Sequence, residues 1–135
     1  MDHLIQTYEV VTGEDETGEL EELTWDLAPI VDPRETLHLG EQGVPRVGTR
    51  VRPGMILIGR VGKSAAYRMG WEPTALEWQG LSFAELRERF GGLWVDRSFR
   101  MPGEVSGEVI ESRVEPREGG RWAAYVRVRT SPMPS

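Results

Sequence analysis

The sequence contains no cysteine, which excludes a disulfide framework and any thiolate metal site. Histidine is scarce too: only His3 and His38 occur, in no ligand spacing such as H-x-x-x-H, so both are expected to be plain surface residues. No run approaches the roughly 18 consecutive apolar residues of a membrane span, and the start, Met1 to Ile5, lacks the basic region and apolar stretch of a signal peptide. These absences make a soluble cytoplasmic protein, with no membrane partner, the expectation.

What is present is punctuation. Nine prolines and sixteen glycines are spread through 135 residues, and 39% of the chain is apolar, enough for one modest core. Frequent Gly and Pro favour short strands and turns over long helices. The reading is therefore a mostly β fold in one unit, 1–135, opening with an N-terminal strand and an acidic loop over 1–22.

Leu4 to Val11 mixes β-branched and aromatic residues in partial alternation and is read as a strand. Thr12 to Glu22 has almost nothing to bury and is read as a mobile loop. Between Leu23 and Leu39 the apolar residues are broken by Pro29 and Pro33, and only a short helical turn near Arg34 to His38 is expected. Val44 to Val61 is the clearest strand region: Pro53-Gly54 makes a turn, and Met55 to Ile58 form an apolar run suited to a strand buried on both faces. Phe99 to Met101, Gly107 to Val114 and Trp122 to Arg129 are further strands. In the last, Ala124, Val126 and Val128 alternate with Tyr125, Arg127 and Arg129, the pattern of a sheet with one buried face.

One helix is predicted. Ser82 and Glu85 form a capping box, the helix runs over 83–90, and Gly91-Gly92 marks its end. Phe83, Leu86 and Phe90 are spaced i, i+3, i+7 and share one face, with Arg87, Glu88 and Arg89 over the rest. That apolar face either packs on its own scaffold or receives a partner. Trp71, Trp78 and Trp94 flank the helix and are either core fillers or an extension of a docking patch. Arg87 and Arg89 either stay solvated or steer towards an acidic rim on a partner.

Charge is divided unevenly. Residues 1–42 carry twelve acidic side chains and one arginine, whereas 43–135 carry fifteen basic and ten acidic, giving -11 and +5 and the total of -6. An acidic chain is a poor independent ligand for nucleic acid, so direct sequence-specific DNA binding is not expected. The acidic segment is expected to lie against the arginine-rich remainder of the same fold.

Catalytic constellations find no support. Glu14, Asp15, Glu16, Glu19, Glu21 and Glu22 lack the glycine-containing loop grammar of a calcium site. Val61-Gly62-Lys63-Ser64 is similar to the end of a phosphate-binding loop, but position 57 is Leu where G-x-x-x-x-G-K-S needs glycine. Ser98, Ser106 and Ser112 have no candidate base. No catalytic residue, metal or cofactor is expected.

Two blocks, Gly43 to Val61 (GVPRVGTRVRPGMILIGRV) and Asp96 to Ile110 (DRSFRMPGEVSGEVI), resemble the GI-RIGA-V-PGDILVGKV and D-SLRVP-GV-GTVI runs of the bacterial RNA polymerase β subunit. Ile5 to Val10 is similar to its IEEYEV stretch and Glu21 to Asp26 to EEIT-DIP, so the resemblance covers about residues 4 to 129. In that subunit the two blocks flank the flap tip. The resemblance implies a compact sandwich-barrel hybrid with one short tip helix, and a flap-tip-like insertion over 62–94.

It also implies a non-catalytic binding module for a sigma factor, through region four, or for another flap-directed transcription regulator. Leu86, Phe90 and Gly91 stand where the family has LLRAIFG; Phe83 is an addition. The implied contact residues are Phe83, Leu86, Phe90, Trp78 and Arg87. The alternative implied by the same resemblance is a structural portion of a split or divergent β subunit that assembles with the rest of core RNA polymerase. Met55 replaces the family's aspartate, and 62–80 is longer and carries unfamiliar tryptophans. The family's nucleotide-contacting lysines and magnesium-bearing barrel lie outside this segment, so the chain is not expected to be an enzyme on its own.

Overall fold

The computed structural model describes residues 4–27, 29–67 and 79–130. Its main sheet is antiparallel, in the order β1-β9-β8-β3, from β1 (Leu4–Val11), β9 (Trp122–Thr130), β8 (Gly107–Pro116) and β3 (Arg50–Val51). β1 pairs with β9 from Leu4↔Thr130 to Val11↔Ala123. The β8–β9 register shifts between Val109 and Glu111, leaving Ile110 as the extra residue of a bulge that bends the sheet. A second sheet joins β2 (Glu22–Leu23), β5 (Arg60–Lys63) and β6 (Trp94–Asp96), and β4 (Ile56–Ile58) pairs with β7 (Phe99–Arg100). The fold is mostly β.

Alternation along β9 orients the main sheet. Ala124, Val126 and Val128 are fully buried, while Tyr125, Arg127 and Arg129 point to the other face. There the arginines meet glutamates: Arg129–Glu108 at 3.0 Å, Arg127–Glu111 at 3.2 Å, and Arg113 at 2.9 Å from both Glu111 and Glu115. Arg113 also lies 4.5 Å over the Tyr125 ring. Much of the positive charge of the C-terminal part is thus neutralised within its own sheet, each exposed pair contributing only about 0.2–1 kcal/mol.

The expected strand over Val44 to Val61 is broken into β3, β4 and β5. Pro53-Gly54 turns the chain between the first two, with Gly54 at φ 89°. Ile56, Leu57 and Ile58 are all buried, and they serve two clusters. Leu57 and Ile58 pack with Val51, Val109, Val126 and Val128, whereas Ile56 packs with Leu27, Val31 and Leu39. A continuous apolar run is required because both faces of this short strand meet a core.

Thr12 to Glu22 departs from the mobile loop read from its composition. Asp15 is buried; its Oδ1 accepts from the Thr17 amide and hydroxyl at 2.8 and 2.6 Å, and its Oδ2 from the Lys63 amide at 3.0 Å. Glu21 is buried as well, accepting from the Gly13 amide at 2.7 Å. The acidic residues are the loop's internal fasteners. His38 departs from the surface position expected of it: it is half-buried, with Nε2 2.6 Å from the Ile56 carbonyl. The helical turn expected at Arg34 to His38 is a 3-10 turn, Pro33–Thr36, capped by Asp32. No helix among the described residues is long and apolar enough to cross a membrane.

Candidate partner-binding surface around the short helix

β5 and β6 run antiparallel, with Lys63 opposite Trp94, so the two ends of the expected insertion meet at its base. Its base is tied twice: the Ser64 amide donates to the Leu93 carbonyl at 2.8 Å, and the Ser64 hydroxyl to the Gly92 carbonyl at 2.5 Å. Lys63 of the glycine-lysine-serine run is not free for phosphate. Its Nζ lies 2.5 Å from Glu19 and 4.7 Å from the Tyr67 ring centroid. The Glu19 hydrogen bond raises the Lys63 pKa above its ordinary value.

The helix, α1 (Phe83–Phe90), is the one α-helix among the described residues. Ser82 caps it: the hydroxyl accepts from the Glu85 amide at 3.2 Å and donates to the Glu85 carboxylate at 3.0 Å. Its end differs from expectation. Gly91 keeps helical backbone, φ -61°, and the chain continues into a 3-10 turn, Gly91–Leu93. A Cβ on Gly91 would lie 3.3 Å from Arg87 Cγ and in ordinary contact, at 3.8 Å, with Ile30, so the residue is neither a left-handed stop nor a position closed to a side chain by the body.

The apolar stripe is divided. Phe90 is buried, at 6% exposure, while Phe83 and Leu86 are half-buried. Phe83, Arg87 and Gly91 line an open groove of about 660 Å³ whose opposite wall carries Ile30, Asp32, Glu35 and Arg100. Arg87 and Arg89 are exposed, and Trp94 is half-buried with its ring 6.0 Å from that of Tyr67. Trp71 and Trp78 lie outside the described residues. The structure therefore brings Phe83 and Arg87 to one groove, and leaves Leu86 on a separate flank beside the inward-facing Phe90.

The groove's far wall was not read from sequence. Asp32 is bound by Arg34 through Nη2 at 2.7 Å, which holds its carboxyl down to about 2. Arg100 is shared between Glu35 at 3.4 Å and Asp96 at 3.8 Å. Asp32 and Glu35 lie far from α1 in the chain and Asp96 and Arg100 shortly after it, and only the fold assembles them beside Phe83 and Arg87. Among the described residues no group of three or more His, Asp or Glu side chains is placed to hold a metal ion.

The class defined by this arrangement is a mostly β scaffold that holds a short capped helix between two paired strands. No family model matches the chain. It is 34% identical over 115 residues to the β subunit of DNA-directed RNA polymerase from Desulfosudis oleivorans, and 37% identical over 115 residues to that of Aquifex aeolicus. It is 34% identical over 116 residues to that of Bdellovibrio bacteriovorus. Each match covers 85% of this chain but only 7 to 8% of the subunit. The chain is homologous to a segment of the RNA polymerase β subunit.

Proposed function

We propose that the chain is a non-catalytic, cytoplasmic module of the transcription machinery. It resembles the β flap and docks region four of a sigma factor, or another flap-directed regulator, through α1. The observation that carries this reading is the homology over 85% of the chain, combined with half-buried Phe83 and Leu86 on an otherwise charged helix. Phe90 anchors the helix to its own body, which leaves Leu86, Phe83 and Arg87 as the contact residues, and Trp78 joins them on the strength of the sequence alone. A few apolar anchors on a short helix supply affinity in the helix-in-groove mode, and the flanking arginines set the encounter rate.

The test is fluorescence anisotropy with labelled region four of the host's sigma factors. Wild type binds, Leu86→Asp reduces affinity at least tenfold, and Arg89→Ala has a small effect. Absence of binding by wild type to every sigma factor and to core polymerase ends the proposal.

A second reading is a structural part of a split or divergent β subunit that assembles with the rest of core RNA polymerase. The share of the relatives covered, 7 to 8%, favours it, and so does the sheet-edge strand β1, which exposes Leu4, Ile5 and Val11. Co-purification with core polymerase at fixed stoichiometry supports this reading; a complete β subunit with its own flap in the same cell counts against it.

A further inference from the structure

Every arginine on β5, β7, β8 and β9 has a carboxylate oxygen at 3.4 Å or less. The edge formed by β3 and the turn before it is different. Arg46, Arg50 and Arg52 are exposed, and among the described residues none of their side chains has a carboxylate or a hydrogen-bond partner. The carboxylates around them are engaged elsewhere. Glu108, opposite Arg50 in the β3–β8 register, binds Arg129 at 3.0 Å. Glu35 binds Arg100, which also donates to the Gly54 carbonyl at 2.9 Å beside this edge. The β7–β8 connection, tied to the same turn by hydrogen bonds of Met101 with Gly54 and Met55, carries one further exposed carboxylate, Glu104. Counted against the three arginines it still leaves an excess of positive charge, in a chain whose net charge is -6.

The backbone that presents these side chains is fixed. The Thr49 amide donates to the Arg46 carbonyl at 3.1 Å, and Gly48, at φ 93°, donates to the Val109 carbonyl at 2.8 Å. The Val109 amide returns to the Thr49 carbonyl at 2.9 Å, and the Met55 amide closes the next turn on the Arg52 carbonyl at 3.0 Å. Val51 is fully buried between exposed Arg50 and Arg52, so strand alternation sends both arginines outward. Val47, next to Arg46 in the first turn, is 65% exposed. An uncovered valine thus stands among three guanidiniums whose mutual repulsion nothing offsets, a surface that an anionic occupant with an apolar side chain would complete.

We propose that the Arg46–Arg52 edge binds an acidic segment of a partner protein, with an aliphatic side chain on Val47 and flanking carboxylates on Arg46, Arg50 and Arg52. The planar guanidinium fork takes a carboxylate through two parallel hydrogen bonds. Nucleic acid shares the sign of charge but fits the surface less well. Residues 43–54 contain no aromatic side chain on which a base could stack, and Val47 offers a phosphodiester nothing. Three arginines also fall short of the roughly six to ten phosphate contacts of a nucleic-acid-binding protein. The proposal is independent of the reading of α1, because none of these residues lines the groove beside that helix.

The experiment is a titration of the full ¹⁵N-labelled chain with synthetic peptides and with oligouridylate, followed by amide and guanidinium shifts. Glu-Glu-Leu-Glu-Glu shifts residues 46–52, and binds at least tenfold more tightly than Lys-Lys-Leu-Lys-Lys and at least threefold more tightly than Glu-Glu-Ser-Glu-Glu. Arg50→Glu and Arg52→Glu each weaken it at least fivefold, Arg50→Lys keeps part of the affinity, and Val47→Ser removes the preference for Leu over Ser. Arg89→Ala, which deletes an unpaired arginine outside this edge, leaves binding unchanged. The proposal is overturned if residues 46–52 do not shift, or if the Leu and Ser peptides bind alike, which describes unspecific attraction of anions. It is also overturned if oligouridylate binds the edge more tightly than the Leu peptide, or if the same resonances move on dilution of the chain alone, which would make the occupant a nucleic acid or a second copy.

Discussion

The carboxylate of Glu21 lies 3.4 Å from the guanidinium of Arg60 with only 3% of its side chain exposed, and Arg97 approaches it from the other oxygen at 3.5 Å. Arg60 also reaches the carbonyls of Arg97 at 2.9 Å and Val11 at 3.2 Å. This pair therefore ties the acidic loop, the edge strand β1 and the β6–β7 connection together. Glu21→Ala leaves the Gly13 amide without its acceptor and the arginines less compensated, and lowers stability by about 2 kcal/mol. Glu21→Gln, which keeps an acceptor, lowers it by about 1 kcal/mol. Urea denaturation checks both; equal losses would show that the amide contact is irrelevant.

Asp15 makes the fold sensitive to acid. Burial raises its pKa, but hydrogen bonds from the Thr17 hydroxyl and the amides of Lys63, Thr17 and Glu19 outweigh this and hold it below the ordinary 3.8. A pKa lower in the folded than in the unfolded chain contributes stability that is present above the unfolded value and lost as pH falls through the folded one. Thermal unfolding from pH 7 to pH 2.5 is expected to show this loss beginning near about pH 4. Asp15→Asn flattens that part of the profile, and an unchanged acid slope would remove Asp15 from the explanation.

Gly59 is a position where no side chain fits. Its amide donates to the Gly43 carbonyl at 2.8 Å, its carbonyl accepts from Thr24 at 3.0 Å, and a Cβ would strike the Thr24 carbonyl oxygen. Gly59→Ala is expected to cost about 3 kcal/mol, since both colliding groups are backbone held in the same bridge. Gly92→Ala, with open space and no positive φ, changes stability by less than about 0.5 kcal/mol. Their melting temperatures, measured side by side, test the contrast.

Phe90 and Leu86 separate folding from docking on α1. Phe90 is buried, so Phe90→Ala is expected to destabilise the attachment of the helix by about 3 kcal/mol and to raise amide exchange over Phe83–Phe90. Leu86→Asp leaves exchange in the β strands unchanged. A Phe90→Ala variant with wild-type exchange in the helix would show that this side chain does not hold α1 to its body.

Local pattern determined a good deal of this protein. The span Leu4–Val11, the alternation of Ala124, Val126 and Val128, the burial of Ile56 to Ile58 and the Ser82 cap are all consequences of interactions within a few residues, or of strand and helix periodicity. Polar residues in an irregular segment carry no such period. Asp15 reads as a solvated carboxylate until the fold brings the Lys63 amide, 48 residues away, to its oxygen. Likewise the amphipathic stripe of α1 was legible, but its division into an inward Phe90 and half-open Phe83 and Leu86 is settled by the tertiary structure, which also brings Ile30 to the groove of Phe83 and Ser64 to Gly92 just past the helix. Hydrophobic spacing names the side chains of a face, and long-range packing alone decides which of them the body covers.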